Sequence, residues 1–304
     1  MEIIYEGKDI SDYVEVRECG VRDGCGKRCD GLEIVFENAD DWYRWGPKQD
    51  DTIEVVHRGY STGKLYLHTV LPENRSYRVL AAGLPCAARQ KACRSYAGKT
   101  AEEILRSCAR ASGMGYLHFG LEKDAVIPYI QQNEESAAAF LERVLTLEGA
   151  VLKCSNGVYV AIGILYAQAR NAHQTIEINA LQSGVEYINS GEKLSTLTVQ
   201  TPYASARATD IDAPGRPELT TGMHPALTEL QAGRWARALL LQHNRRCESL
   251  ILQTEFNPGM TAMTRIDIVG ETSAAGEWLI EEVEHDFINN RSRTTMHRCV
   301  TGIR

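Results

Sequence analysis

Residues 281–286 bring four carboxylates and one histidine together, and these are the side chains that general acid–base catalysis uses. Because successive side chains of a strand point to opposite faces, Glu282, Glu284 and Asp286 would share one face. Three like charges with no interleaved lysine or arginine fit a solvated face or a channel lining better than a catalytic acid–base pair. His285, between apolar neighbours on the other face, is predicted to be half-buried and hydrogen-bonded.

Three cysteines in one stretch, Cys19, Cys25 and Cys29, could hold a metal ion only if further ligands completed the site. Zinc usually takes four Cys or His ligands, commonly in Cys-x2–4-Cys pairs. These thiols have five and three intervening residues, and no histidine lies nearby in the sequence. The pattern favours a loop with reduced thiols, so we predict no metal or other cofactor, and a thiol-ligated metal protein stays an alternative.

The Gly-Lys-Thr sequence at 98–100 matches only the end of a phosphate-binding loop, since Cys93 stands where that motif needs its first glycine. The threonine of this motif and Glu103 have the spacing of a capping box that opens a helix. A helix is therefore predicted from this threonine to Gly113, a natural stop. A second helix is predicted to begin near Asn133, with two glutamates in its first turn.

An aromatic stretch between two predicted strands contains Trp42, Tyr43, Arg44 and Trp45. Tryptophan, tyrosine and arginine are the residue types that dominate the binding energy of interfaces. We therefore predict a protein–protein interface here. The alternative is that one or two of the tryptophans fold back over the end of a β-barrel.

The chain has 304 residues, with 33 Lys and Arg against 40 Asp and Glu, and its net charge is −7. Nucleic-acid binding needs a basic surface, so sequence-specific nucleic-acid recognition is not expected. The apolar runs are far shorter than the ~20 residues that a bilayer requires, and the charged start does not match a secretion signal. With nine cysteines, an odd number, synthesis in a reducing cytosol is the simplest interpretation.

Short segments of alternating polarity, separated by glycine turns, occupy both ends of the chain, as in small barrels or sandwiches. We predict a mainly β fold class with an α+β insert, in which two small β-barrel-like (tube-like) domains flank an α+β module. The predicted boundaries are 1–88 for the first β-domain, 89–165 for the module and 166–304 for the second β-domain. The last part includes one long helix over 225–246, with a proline as its first residue.

An internal repeat relates the two β-domains. At a constant offset of 213 residues, the positions Ile53, Val55, Val56, Gly63, Leu65, Leu67 and Val70 match Ile266, Ile268, Val269, Gly276, Trp278, Ile280 and Val283. Two hairpins with loops of equal length share part of such a pattern by chance. The alternative is a duplication that produced one related β-domain near each end.

The order of these motifs resembles the baseplate hub family of contractile tails, the late control protein D group that includes the base of type VI spike proteins. The resemblance spans most of the chain and rests on residues 30–38, 51–56, 62–67, 94–105, 131–141 and 278–285. Each motif is short, and their order and spacing are the specific part.

The resemblance implies a structural hub, a homotrimeric ring that adapts a hexameric tail tube to a central spike. Its expected partners are other copies of itself, the tail tube protein, a spike on a separate chain and the tape measure protein. It would be made in the bacterial cytoplasm and assembled into a phage tail or tail-like injection particle. Glu282, Glu284 and Asp286 would then line the channel, where an acidic surface repels a polyanion.

A different class of function, a peptidoglycan hydrolase at the tail tip, is the alternative to a non-enzymatic hub. A hydrolase usually carries a pair of acidic residues in a groove, and it should clear peptidoglycan. A hub should form a trimer and need no ligand. The sequence contains no nucleophile elbow, zinc-protease motif or dinucleotide fingerprint that would favour an enzyme.

Overall fold

A computed structural model describes residues 1–38, 46–73, 75–179 and 184–304 of the chain. The first part contains β1 (Glu2–Tyr5), β2 (Lys8–Asp9), β3 (Glu15–Gly24), β4 (Gly31–Glu37), β5 (Thr52–His57), β6 (Tyr60–Ser61), β7 (Leu65–Glu73), β8 (Ser76–Ala82) and a 3₁₀ turn at Ser11–Tyr13. The middle part contains α1 (Cys86–Arg89), β9 (Lys91–Thr100), α2 (Ala101–Ser112), β10 (Gly115–Phe119), β11 (Val126–Ser136), α3 (Ala137–Leu147), β12 (Ala150–Ser155), β13 (Val158–Gly163) and α4 (Ile164–Gln168).

The last part returns to strands around one long helix. It contains β14 (Gln174–Glu177), β15 (Val185–Asn189), β16 (Thr196–Gln200), β17 (Ser205–Thr209), β18 (Glu218–Thr221), α5 (Glu229–Arg246), β19 (Glu248–Glu255), β20 (Arg265–Val269), β21 (Gly276–Asp286) and β22 (Arg291–Arg298). The fold is therefore mainly β with an α+β insert, as the sequence predicted.

One large sheet runs through both ends of the chain, in the order β15-β19-β22-β21-β3-β4-β8-β7-β5-β1-β2. Strand β20 pairs with β21 and β14, and β6 pairs with β5. Among the described residues the sheet stays open and does not close into a barrel. The domain boundaries at 88 and 165 stay a prediction.

The internal repeat of the sequence reappears in the pairing register of the sheet. Strands β5 and β7 are antiparallel and place Ile53 opposite Leu65. Strands β20 and β21 are antiparallel and place Ile266 opposite Trp278. All four residues belong to the set that the 213-residue offset matches, so this sequence match is also a match in strand pairing.

The repeat extends to irregularities and to strand order. A β-bulge follows Leu67 where β7 pairs with β8, and another follows Ile280 where β21 pairs with β22. The spatial order β3-β4-β8-β7-β5 of the first β-domain has the same connectivity as β15-β19-β22-β21-β20 of the second. Because bulges and register are set by specific local sequence, this agreement favours a duplication over chance.

The α+β module packs helices α2 and α3 against a small sheet of β10, β13 and β12. Helix α2 begins with the predicted capping box, in which the Thr100 side chain accepts from Glu103 N–H and the Glu103 carboxylate accepts from Thr100 N–H. Gly113 ends it in the left-handed conformation, at φ 68°. The buried side chains of Phe140 and Tyr159 belong to the core of this module.

Two predicted helix starts are wrong by about one turn. Helix α3 begins after Ser136 rather than near Asn133, because β11 pairs with β9 up to Ser136, whose hydroxyl accepts from Ala139 N–H. Helix α5 begins at Glu229 rather than at residue 225, because the Thr228 side chain caps it through Gln231 N–H. In both places a hydroxyl that satisfies a free helix N–H outweighs the signal used in the prediction.

A buried ionic cluster joins the module to both β-domains. Lys153 of β12 donates to Asp23 of β3 and to Asp30, the residue before β4, the latter at 2.9 Å. Asp23 also accepts from the backbone N–H of Ala262 in the second β-domain at 3.1 Å. Burial alone would lower the pKa of Lys153, but the two carboxylates raise it above its ordinary value. Lys153 is therefore charged, and together with Asp23 it connects all three parts.

We predict that Lys153→Met lowers the free energy of unfolding by about 3–5 kcal/mol, because it leaves two buried carboxylates without their cation. Urea titration at neutral pH measures the change. Lys99→Met is the matched control: its ammonium pairs with Glu103 on the surface, and its loss should cost no more than about 1 kcal/mol. Equal effects of the two substitutions would contradict this role of Lys153.

Candidate functional site

The two β-domains meet along one pair of antiparallel strands, which we call the seam: residues 282–286 of β21 and 20–24 of β3. In this register Val283 lies opposite Asp23 and Glu284 lies opposite Arg22. The ladder continues to Phe287, whose N–H donates to the carbonyl of Cys19 at 3.0 Å. The acidic sequence singled out above is thus the strand that fuses the two domains into one sheet.

Glu282, the first of the predicted channel-facing carboxylates, is buried at the seam. It accepts two hydrogen bonds from Arg28, at 2.6 and 2.8 Å, and Arg22 lies 3.8 Å away. The hydrogen bonds to Glu282 raise the pKa of Arg28. Both hydrogen bonds come from Nη1 of Arg28, and this charged contact holds the β3–β4 loop against the second domain.

The other two carboxylates occupy different environments. Glu284 lies on the same face between Arg22 at 3.5 Å and Arg293 at 3.6 Å. Asp286 ends the strand and caps the following turn, accepting from the backbone N–H groups of Ile288 and Asn289. The structure therefore brings Glu282 and Glu284 together, whereas Asp286 serves the turn. Their assignment to a channel stays a prediction.

A groove of about 770 Å³ crosses the seam on the face that carries Glu284. Its lining includes four arginines and four carboxylates: Arg17, Arg22, Arg291, Arg293, Glu18, Glu33, Glu284 and Asp286. The arginines come from β3 and β22, so they lie among the carboxylates in space although the acidic segment itself contains none. This face is consequently mixed in charge rather than purely acidic.

Sequence reasoning missed the arginines of this face. Arg22, Arg28 and Arg293 reach the acidic strand from segments that lie up to 262 residues away in the chain. The only available signal was the internal repeat, which placed the acidic strand within a sheet without naming its neighbours. Pairing across a sheet is decided by tertiary structure, and no local spacing rule predicts it.

An aromatic cluster fills the opposite, buried side of the seam. His57 and Tyr60 from the first domain contact Phe256, His285 and Phe287 from the second, with ring centroids between 4.7 and 6.3 Å apart. His285 is only 2 % exposed, and its Nδ1 lies 2.8 Å from the hydroxyl of Ser292. Burial lowers the pKa of His285 to about 4. It is the hydrogen-bonded histidine that the sequence predicted, and it is more deeply buried than expected.

The remaining candidates divide into two groups. The predicted interface residues Trp42, Tyr43, Arg44 and Trp45 lie outside the described residues, so that prediction stays open.

Burial raises the pKa of Cys19 and that of Cys25 to about 12, and both thiols are accordingly inert. Within the described part of the chain, no group of three or more potential ligands could hold a metal ion.

Comparison with solved structures shows what this fold resembles. A tail protein from Neisseria meningitidis MC58 superposes with a TM-score of 0.75 at 10 % identity, covering 98 % of this chain and 95 % of its own. The 43 kDa tail protein of prophage MuSo2 from Shewanella oneidensis gives a TM-score of 0.73 at 13 % identity, with 98 % and 97 % covered. An E. coli component of the type VI secretion system gives 0.66 at 11 % identity, with 99 % and 77 % covered.

This chain therefore has the fold of phage tail proteins, a fold that a type VI secretion component shares. No family model matches the sequence, and no curated protein sequence is significantly similar to it. In the described residues, no helix is long and apolar enough to cross a membrane.

The buried histidine of the seam predicts a specific acid sensitivity. Because the pKa of His285 is lower in the folded state, the unfolded chain binds a proton at a higher pH than the folded chain does. The free energy of unfolding is therefore unaffected by His285 above its ordinary pKa of ~6.5 and decreases as the pH falls toward 4. The loss that His285 contributes by pH 4 is about 3 kcal/mol.

Urea titrations between pH 7 and pH 4 measure this loss in the wild type and in His285→Gln, which keeps a partner for Ser292 but does not titrate. The variant should show a shallower fall of the unfolding free energy over this range. His243→Gln, a surface control, should follow the wild type. Parallel curves for the wild type and His285→Gln would contradict the assignment.

Proposed function

We propose that this protein is the structural baseplate hub of a contractile phage tail or tail-like injection particle. In this role three copies form a ring that adapts the hexameric tail tube to a central spike carried by another chain. The fold shared with phage tail proteins supports a place in a tail. The observation that carries the hub proposal is the duplicated β-domain, joined at a seam that leaves two matching strand edges open.

The open edges follow from the repeat. Strand β21 corresponds to β7 and strand β3 corresponds to β15, and within the chain β21 pairs with β3. In the described residues, β7 beyond Tyr66 has β8 on one side and no strand on the other, and β15 pairs only with β19. If β7 of one copy pairs with β15 of the next, the sheet continues from chain to chain. This pairing would be equivalent to that of β21 with β3 inside the chain.

The register of such a contact follows from the same correspondence. Leu71 of one copy would lie opposite Ile188 of the next, where the internal seam has Glu284 opposite Arg22. Pro72 stands in the position of His285 and lacks an N–H, so this ladder would have one hydrogen bond fewer. Leu71 is exposed in the single chain, and its apolar side chain supplies contact area at that place.

A head-to-tail contact of this kind gives a closed ring when the rotation between copies closes, and an open filament when it does not. Each chain contributes two similar β-domains, so three chains present six similar units. Six units match the symmetry of a hexameric tube ring, which is the reason to propose three copies. Closure also leaves no large-sheet edge free at these two strands.

The channel proposal retains the face of Glu282, Glu284 and Asp286 as a lining. Arginines of β3 and β22 balance the carboxylates of this face, so its effect on a passing polyanion would be weaker than that of an acidic wall. The expected partners are the tail tube protein and the spike protein, with the tape measure protein as a further candidate. No catalytic step is part of this proposal.

The ring predicts a specific effect of Leu71→Lys. Light scattering should give the wild type a mass three times the 33.8 kDa of the chain. A lysine at this position places a charge on the open edge, which is how natural edge strands avoid pairing, and should reduce the mass to that of one chain. Leu230→Lys, an equally apolar and 83 % exposed position on α5, should leave the trimer intact. A monomeric wild type at high concentration would contradict the ring.

The hydrolase alternative predicts release of soluble fragments from dye-labelled peptidoglycan. Buried Glu282 is held by Arg28, and Glu284, which lines the groove, lies between Arg22 and Arg293, which leaves neither free as a general acid. We therefore expect no release above background at protein concentrations where lysozyme, the positive control, clears the substrate. Clearance that is lost in Glu284→Gln would support the enzyme instead.

A further inference from the structure

The α+β module has a strand edge with which no other described strand pairs. Strand β10 is the outer strand of its sheet and pairs only with β13, in parallel. The N–H of Gly115 donates to the carbonyl of Gly157 at 2.9 Å. Because strand residues alternate in direction, the N–H and C=O groups of Tyr116 and His118 point to the open side.

This edge lacks the features that usually prevent pairing. Its sequence, Gly-Tyr-Leu-His-Phe, contains no lysine, glutamate or proline. Tyr116, Leu117 and Phe119 are 37 %, 52 % and 43 % exposed. The short edge strand β2, by contrast, consists of Lys8 and Asp9. An edge without these residues and with exposed apolar side chains is a surface that another strand can pair with.

One face beside this edge is an apolar ledge. The ring of Tyr166 stacks on Phe119 with centroids 6.1 Å apart and planes 18° apart. Gly120 makes this approach possible, since its φ is +68° and a Cβ there would lie 2.2 Å from the Cβ of Tyr166. Leu165 is exposed next to Tyr166 in α4. Leu117 points to the same side as Phe119, so this face is apolar along the strand.

The other face beside the edge is polar. Arg106 lies over the ring of Tyr116, 5.8 Å from its centroid, and pairs with Glu102 at 3.1 Å. The same glutamate lies 3.4 Å from Nε2 of His118. A strand added along β10 would therefore contact apolar groups on one side and charged, hydrogen-bonding groups on the other.

We propose that β10 receives an extended segment of another tail protein, in which apolar residues alternate with polar or acidic ones. Backbone groups of Tyr116 and His118 would pair with the segment, its apolar side chains would lie beside Leu117 and Phe119, and its polar side chains would face Arg106 and His118. This is β-strand addition, in which main-chain bonds give affinity and alternate side chains give specificity.

The choice of a different chain as occupant rests on the proposed ring. Copies related by a rotation in one ring present β10 at equivalent places, and two β10 strands can meet only across a further twofold axis. Such an axis would join two rings face to face, which an adapter between tube and spike does not permit. Pairing of β10 with a second copy of this chain is accordingly the alternative that the experiment must distinguish.

The experiment uses the full-length protein and a capped seven-residue peptide in which valine alternates with threonine and glutamate. Hydrogen exchange of the segment 115–119, read by mass spectrometry, should slow by about tenfold at the saturating peptide concentration. The same peptide with N-methyl groups at its bonding positions should give no protection. Leu117→Lys should abolish the protection, whereas Leu230→Lys should retain it.

Unchanged exchange in the wild type with the unmodified peptide would overturn the inference. Two other outcomes are distinguishable. If the protein associates without peptide through β10, with a mass that Leu117→Lys halves, the occupant is a second copy and the proposal of another tail protein is wrong. A monomeric protein that still binds the peptide would overturn the ring but not strand addition at β10. Hydrogen exchange of residues 115–119 reports on β10 in each chain, whether or not the copies associate.

Discussion

The position of Asp23 is the constraint on which the three parts of this protein depend. Its backbone lies in the seam, opposite Val283, and its carboxylate accepts from Lys153 of the α+β module and from Ala262 of the second β-domain. One buried residue is therefore tied to every part of the chain. A buried carboxylate is costly without partners, so the three parts can dock only in the arrangement that supplies all of them.

Around that point, the seam combines three kinds of interaction. The backbone ladder joins the strands, the paired arginines hold Glu282 and Glu284, and the aromatic cluster around His285 fills the buried side. Backbone hydrogen bonds between the two strands do not depend on which side chains are present, so the arginines and aromatic rings determine the register. This division explains why the seam face is charged and yet balanced: its carboxylates serve to align two domains.

The same logic accounts for the edges. A duplicated domain that pairs once within the chain leaves one unsatisfied edge at each end of the pair, and head-to-tail pairing of copies, as in the proposed ring, would use both. Strand β10 is a different case, because it belongs to the module and not to the duplicated sheet. Its lack of charge and its ledge of Tyr166 and Phe119 suit a partner with its own extended segment.

Local signals in the sequence determined some features well. The capping box of Thr100 and Glu103, the stop at Gly113 and the mainly β class follow from contacts within a few residues, and the structure confirms them. The matched hairpins at Ile53 and Ile266 were also readable, because a duplication preserves spacing. The start of α3 was not, since pairing of β11 with β9 extends the strand through both glutamates that a helix would have used.

Only the tertiary structure decided which charged groups pair with one another. The acidic segment 281–286 suggested an unbalanced face, because its arginine partners come from β3, its following loop and β22. The ion pair between Asp23 and Lys153, which are 130 residues apart, could likewise not be predicted from the sequence. Periodicity and capping act over a few residues and are encoded locally, whereas charge pairing in a sheet depends on which distant strands become neighbours.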